Sequence, residues 1–416
     1  MTSQNGPLKG LRVLEIGSSV AGPFCGRLLA DFGAEVIKVE PIEGDAVRSM
    51  SKRVNGRSLY AASIFRNKRL AAIDLRVEAG RDLARRMAVR SDIVVENFRP
   101  GTLEKWGMDY DTLARENPGL VLVRISGFGQ SGPYRDRAGY GIIGEAVSGL
   151  RHLTGDPDRP PGRINASLTD EVTGLYAAFG AMMAIVARQS SGRGQCVDAT
   201  LYESAFSLIE PHVPAFDMLG IVAQRAGSKL PDSTPNNLYP TRDGRHIHLT
   251  AMADGVFARL AGAIGKPELA TDSRYSGAIA RSANEDALDA MITDWTRGQD
   301  LDDLEKVLES AGVPASRIYD MQDIFRDPHY RAREMLLEVP DPELGSVTVA
   351  GVVPKLSATP GSVTHLGGAP GSDTTSVLRD VLGLTLEQIR ALAGERAIFC
   401  AEATQGGLLT QSQGAR

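Results

Sequence analysis

Leu11 to Glu40 reads LRVLEIGSSVAGPFCGRLLADFGAEVIKVE, and this stretch decides the fold. Leu11–Ile16 is a short apolar run of the kind that forms a buried strand. The loop GSSVAGP follows, and Phe24, Leu28 and Leu29 then share one helical face. Gly33 is placed to stop that helix, and Glu35–Val39 reads as a second strand. Strand, helix and strand in one short stretch make a βαβ unit.

Downstream, the same unit recurs. Ala79–Arg90 is helical, Asp92–Glu96 is a strand, and Leu120–Ile125 is another strand after Asn117-Pro118. Strands alternating with helices predict an α/β fold with a mostly parallel sheet covered on both faces. From Ile164 the pattern changes to two long helices, Asp170–Arg188 and Leu201–Leu219, with a strand at Gln195–Thr200 between them. Residues 220–235 are polar and rich in Gly, Ser and Pro, as a linker is. A strand at Arg245–Thr250 and helices through Glu309 then predict a smaller α+β domain. Residues 346–353 alternate like a strand, and Thr374–Leu382 is helical. The expected organisation is a large domain begun by 1–219, a small domain with linkers over 220–330, a return to the large domain over 331–400, and a frayed tail at 401–416. No internal repeat is visible.

At 416 residues, the chain is long enough for two or three domains. Its apolar fraction of 42% and charged fraction of 23% are those of a globular protein. A net charge of −5 argues against nucleic acid as a partner, because phosphate binding needs a basic surface. Cys25, Cys196 and Cys400 are far apart and odd in number, which predicts free thiols in a reducing cytoplasm rather than a disulfide frame or a zinc site. The opening MTSQNGPLKG lacks the apolar core of a signal peptide. Val172–Ala187 is the longest nearly apolar stretch. It is shorter than the roughly 20 residues that span a bilayer, so a buried helix is expected and no membrane partner.

Three motifs invite chemistry. Gly139–Gly144 satisfies G-x-G-x-x-G, but the preceding PYRDRA forms no buried strand, so the dinucleotide fingerprint lacks its context. His246 and His248 lie on one side of a strand without a third ligand, and no metal is expected there. Ser167-Leu168-Thr169-Asp170 is a capping-box pattern ahead of a long apolar helix. An acid in a helix first turn is ordinary, since the macrodipole favours it there. The same field keeps a partly buried carboxylate ionised, and a poorly hydrated carboxylate is able to attack a thioester carbonyl.

The strings GSSVAGPFCGRLLADFGAEVIKVE, NKR at 67–69, VVENFRPG at 94–101, ISGFGQSGPY at 125–134 and SLTDEVTGLYAAFGAMMAIVARQSSGRGQCVDATLYES from 167 onward are together similar to the class III CoA-transferase family. Formyl-CoA transferase, carnitine CoA-transferase, succinyl-CoA:dicarboxylate transferases and alpha-methylacyl-CoA racemase belong to it, and the resemblance runs over residues 8–395. It implies a Rossmann-like large domain built from both chain ends, a small middle domain and an interlocked dimer, with itself or with a related subunit. It places the catalytic aspartate on Asp170, which would pass through a mixed anhydride and an aspartyl-CoA thioester. It implies CoA contacts at Val20, Asn97, Phe98 and Arg99, with Arg48, Lys105 and Arg137 as further basic candidates. The substrates would be CoA thioesters and a carboxylic acid, with no permanently bound cofactor.

The racemases of that family carry a histidine in the segment that here reads Gly139-Tyr140-Gly141. Tyr140 matches the transferases instead. A racemase needs two acid–base groups about the α-carbon, and the missing histidine removes one; Asp254 lies near the position of another racemase acid. The glycine-rich lid of formyl-CoA transferase has no counterpart between 220 and 245, and Val20 stands where that enzyme has glutamine, so oxalate is not the expected acceptor. GYGIIGEAVSGLRHLTG (139–155) is more similar to the branch that handles succinyl-CoA and four- or five-carbon dicarboxylates or aryl-succinates. Arg163 is the candidate partner for a distal carboxylate. A non-catalytic CoA-binding protein is the remaining alternative class.

Overall fold

The computed structural model describes residues 6–401, so all but the first residue of the expected tail lies outside the described residues. Two compact units emerge: 1–150 with 164–213 and 329–416, and 151–163 with 214–328.

In the first unit, β1 (Arg12–Glu15), β2 (Glu35–Glu40), β3 (Lys68–Ile73), β4 (Ile93–Glu96), β5 (Val121–Ser126) and β6 (Cys196–Thr200) pair in parallel. A hairpin, β7 (Leu336–Asp341) with β8 (Gly345–Ala350), stands apart. The short β9 (Ile398–Phe399) runs antiparallel beside β3, giving the sheet order β9-β3-β2-β1-β4-β5-β6. Apart from that edge, this is the doubly wound order. It reverses between β1 and β4, and a crevice opens outside the carboxyl ends of the strands at such a reversal.

Successive side chains on each strand feed opposite cores, as a pleat requires. Val13, Val36, Ile93, Val95, Val121 and Val123 join one core with Ala21, Cys25 and Leu29 of α1 (Ala21–Asp31). Leu14, Ile37, Val94 and Leu122 join the other with Leu83 and Met87 of α3 (Glu78–Ala88). Between these helices in sequence lies the short α2 (Leu59–Ile64). Later helices of this unit include α4 (Gly141–Val147), α5 (Leu168–Ser191), α6 (Leu201–Phe206) and α7 (Thr374–Leu382).

Several expectations are corrected. The apolar stretch at 172–187 belongs to a helix long and apolar enough, by length and composition alone, to cross a membrane, and it is not buried all round. Ala177, Ala181 and Ala184 of α5 pack into the core, whereas Leu175, Tyr176, Phe179, Met183 and Val186 are exposed. The single helix expected over 201–219 is broken into Leu201–Phe206, a 3₁₀ turn at Ser207–Ile209 and His212–Leu219. Pro211 supplies no amide, so the helical hydrogen-bond ladder is interrupted there. β3 begins within the NKR string and was not anticipated, because its leading Lys68 is fully buried and a lysine reads as exposed.

In the second unit, Ala315–Arg317, His246–Thr250 and Asn236–Pro240 form an antiparallel sheet. Helices Asp254–Ala263, Glu285–Arg297 and Leu301–Ser310 contribute Phe257, Leu260, Leu288, Ile292, Leu304 and Leu308 to its core. His248 binds Asn236 Oδ1 at 2.8 Å. Asp254 accepts from the fully buried Arg281 at 2.8 Å. Residues 151–163 go with this unit because Arg225 donates to the carbonyls of Asp156 and His152, and Gly227 N–H to that of Gly155.

α1 and α5 meet backbone to backbone at Gly174, where a Cβ would lie 2.8 Å from the Ala21 carbonyl oxygen and 3.2 Å from the Cys25 nitrogen. Backbone on a packed helix has little room to move. Gly174→Ala is therefore expected to lower stability by about 1–2 kcal/mol, the overpacking cost exceeding the gain in helix propensity. A melting curve of the variant that matches or exceeds the parent would contradict this packing.

Candidate active site

The loop that joins β1 to α1 is the first wall of the site. Asn97, just beyond β4, clamps it: its Oδ1 accepts from Ser18 N–H at 2.7 Å and its Nδ2 donates to Ser18 O at 2.8 Å. Ser19 then adopts φ of +65°, a left-handed conformation that a serine enters only at a cost. No side chain caps α1, whose N-cap residue is Val20.

The second wall comes from the end of β4. Phe98 N–H donates to Glu96, which also accepts from Arg124 Nε at 2.8 Å. Burial pushes the Glu96 carboxyl up to about 7, although Arg124 and the Phe98 amide oppose the shift. Phe98 packs edge-on against Trp106 with ring centroids 5.1 Å apart.

The third wall is the loop after β5. Gly127 and Gly139 approach each other so closely that a Cβ on either would fall within 3 Å of the other's Cα. This contact brings the far end of the loop, with Arg137 stacked 3.5 Å over the Tyr134 ring, back to the strand end.

Asp170 enters through the first turn of α5. The capping box expected at Ser167 does not form: its side chain makes no cap hydrogen bond. Tyr60 on α2 stands near this turn, beside Ser167 and the carboxylates of Asp170 and Glu171. Burial, then the charges of Glu171 and Asp170, push the Tyr60 phenol up to about 12, so it remains a protonated donor. Burial likewise raises the Glu171 carboxyl, against the pull of Arg27.

The half-buried Asp170 carboxylate rests on the backbone at Gly141, the first residue of α4. A Cβ there would overlap Oδ2 and lie 2.8 Å from Cγ. The G-x-G-x-x-G string is thus part of the site for reasons unrelated to a dinucleotide. Its glycines admit Gly127, the Asp170 carboxylate and, at Gly144, the Leu201 backbone.

These walls enclose a cavity of about 230 Å³ at the reversal of strand order. Val20, Asn97, Phe98, Arg99, Arg137, Tyr140 and Asp170 all line it. Arg48 does not, being held by Glu40 in two bonds of 2.7 Å and donating to the Gly368 carbonyl. Lys105 lines a separate polar hollow with Glu78, Arg81 and Asp82. Arg163 is exposed and falls in the second unit. Ser18, Ser19, Arg135, Tyr60 and Gly141 were missed. Only Gly141 had a usable signal, in a string set aside as a decoy. A second cavity of about 210 Å³, lined by Lys38, Val39, Leu75, Arg76 and Trp106, shares Ser18 and Phe98 with the first. Among the described residues no group of three or more His, Cys, Asp or Glu is arranged to hold a metal ion.

Residues 8–374 match the model of CoA-transferase family III. The chain is 47% identical over 394 residues to the succinyl-CoA–D-citramalate CoA-transferase of Chloroflexus aurantiacus, covering 94% of this chain and 98% of that one. It is 40% identical to the beta subunit of succinyl-CoA–L-malate CoA-transferase from the same organism, covering 94% and 98%. A solved CaiB/BaiF family protein from Brucella suis superposes with a TM-score of 0.80 at 34% identity, covering 91% of this chain and all of that one.

Two outcomes follow from the geometry. Gly141→Ala should displace the Asp170 carboxylate and lower turnover by about 10–100-fold with the fold intact, as small misplacements do; unchanged turnover would mean the carboxylate is not held there. Glu96 has a raised folded pKa, so its stabilising contribution is complete below about 4.5 and is lost as pH rises through about 7. The melting temperature of the parent relative to Glu96→Gln should therefore fall between pH 5 and pH 8, and a flat difference would refute the shift.

Proposed function

This chain belongs to CoA-transferase family III and is a CoA-transferase; from that premise we propose that Asp170 is its covalent nucleophile and that it moves CoA from succinyl-CoA to a dicarboxylic acid. The observation that carries the reading is the half-buried Asp170 carboxylate at the start of a long helix, seated on the Gly141 backbone inside the cavity at the strand-order reversal. The helix terminus favours its ionised form, and the cavity gives a thioester carbonyl a place to meet it.

The chemistry is an exchange of activated acyl groups. An Asp170 oxygen attacks the thioester carbonyl and the C–S bond breaks, giving a mixed anhydride and CoA thiolate. The thiolate attacks the aspartyl carbonyl and expels the donor acid as its carboxylate, leaving an aspartyl-CoA thioester. The acceptor carboxylate attacks that thioester and forms a second anhydride, which the released thiolate opens at the acceptor carbonyl. Asp170 returns as a free carboxylate. Arg99, Arg135 and Arg137 supply positive charge along the cavity for anionic substrates. The second cavity, with Phe98, Trp106 and Leu75 as its apolar faces and Arg76 at its edge, suits the nucleotide end of CoA.

The choice of succinyl-CoA and a dicarboxylate rests on the relatives named above, with Tyr140 as the substrate contact in the cavity. Within the cavity Tyr140 takes the place where a racemase would need a histidine base. The exposed apolar row on α5, Leu175 to Val186, is the surface assigned to a second copy or a related subunit. The free thiols of Cys25, Cys196 and Cys400 accord with a cytoplasmic enzyme.

The test combines trapping with substitution. The enzyme mixed with succinyl-CoA and hydroxylamine should lose activity and show a hydroxamate on the peptide containing Asp170. Asp170→Ala should transfer CoA at least about 10³-fold more slowly, the scale of removing a covalent nucleophile. Parental transfer by the alanine variant, or an adduct on a different peptide, would end this reading. A panel of dicarboxylic acids, read by mass detection of new thioesters, identifies the acceptor.

A further inference from the structure

The end of the sheet beneath loop 17–23 holds an unusual concentration of buried charge. Glu15, Lys38, Asp45 and Lys68 are each at most 2% exposed. Lys68 Nζ lies 2.6 Å from Glu15 Oε2, Lys38 Nζ lies 3.6 Å from Glu15 Oε1, and Lys38 Nζ lies 2.9 Å from Asp45 Oδ2. Glu15 reaches Lys68 because Gly26 of α1 has no side chain; a Cβ there would overlap Glu15 Oε2. Buried ion pairs of this kind seldom exceed a well-packed apolar core in stability, so their presence calls for another cause.

That cause is visible in their remaining hydrogen bonds. Lys38 donates to the carbonyl of Gly17. Asp45 Oδ1 accepts from Ser19 N–H at 3.0 Å. Lys68 donates to the carbonyl of Pro23 at 2.7 Å. Three buried charges thus each bind the backbone of one loop, at its start, middle and end. Between them sit Ser18, Ser19, Val20 and Ala21, which line the cavity that contains Asp170. Ser19 is held in its left-handed conformation at the middle contact.

We propose that Glu15, Lys38, Asp45 and Lys68 form a positioning device that presets loop 17–23 in the conformation that receives the CoA thioester. None of the four touches the reacting atoms. The device keeps the loop from relaxing when the cavity is empty, so binding does not have to order it. Only its affinity readout rests on the reading of the cavity as a CoA site.

The experiment compares the full-length enzyme with Asp45→Ala and Asp45→Asn, using calorimetric titration with coenzyme A and amide hydrogen exchange. Asp45→Ala removes the acceptor for Ser19 N–H and should weaken CoA about tenfold or more, while Asp45→Asn keeps an oxygen there and should recover at least about threefold of that loss. In the parent the Ser18 and Ser19 amides should exchange at least about 10³-fold more slowly than in an unstructured chain, and this protection should vanish at Ser19 in Asp45→Ala. A folded Asp45→Ala protein with parental affinity overturns the proposal. Should that variant not fold, unprotected Ser18 and Ser19 amides in the parent overturn it instead, and their protection supports it. A parent that binds no CoA defeats the functional reading alone, since the exchange result still decides the positioning role.

Discussion

Buried charge under one loop is the constraint from which the rest of this molecule follows. Glu15, Lys38 and Lys68 sit on three neighbouring parallel strands, and Asp45 closes the set from the segment after β2. Four such groups shielded from water tolerate little displacement, because each depends on its neighbours to balance its charge. They therefore fix strand ends, helix start and connecting loop as one piece. Asn97 adds a clamp from the adjoining strand, so the loop is held from both sides of the reversal in strand order. Cys25, fully buried next to Glu15, has its thiol pushed upward by burial and then by that carboxylate, which makes it an inert packing group.

The Asp170 carboxylate, our proposed nucleophile, sits by close approach to backbone. Asp170 leans on bare backbone at Gly141, where any side chain would displace it. Tyr60 stands near it, and Glu171 beside it is balanced by Arg27. The result is a carboxylate fixed in place yet open to the cavity. Glycines serve the site twice over: Gly26 lets a buried acid reach its lysine, and Gly141 lets a reactive acid reach its seat.

Much of the architecture was readable from residue order. Alternating apolar runs and helical faces placed β1, β2, β4, β5 and β6 and the α/β class, since those strands are short, apolar and bounded by turn residues. β3 escaped because its first residues are Lys68 and Arg69, which a local reading assigns to the surface; their carboxylate partners lie far away in the chain. The capping box at Ser167 looked sound locally but does not form in the fold, where Tyr60 from another helix stands beside Ser167. Arg48 looked like a phosphate ligand by charge, whereas Glu40 holds it in a bidentate pair. In each case a local rule was overruled by a partner that only folding brings near.

By itself the sequence determined what short-range chemistry controls: which segments are strands or helices, where the chain turns, and that an acid opens the long apolar helix at 168–191. Motifs at family spacing added the kind of reaction. Tertiary structure alone decided which charges are buried together, which glycines face a side chain rather than solvent, and that Gly141 and Asp170 share one wall of one cavity. The physical reason is that periodicity and propensity act over a few residues. Pairing of buried charges and exclusion of a single methyl group act between atoms a few ångströms apart, whatever the length of chain between them.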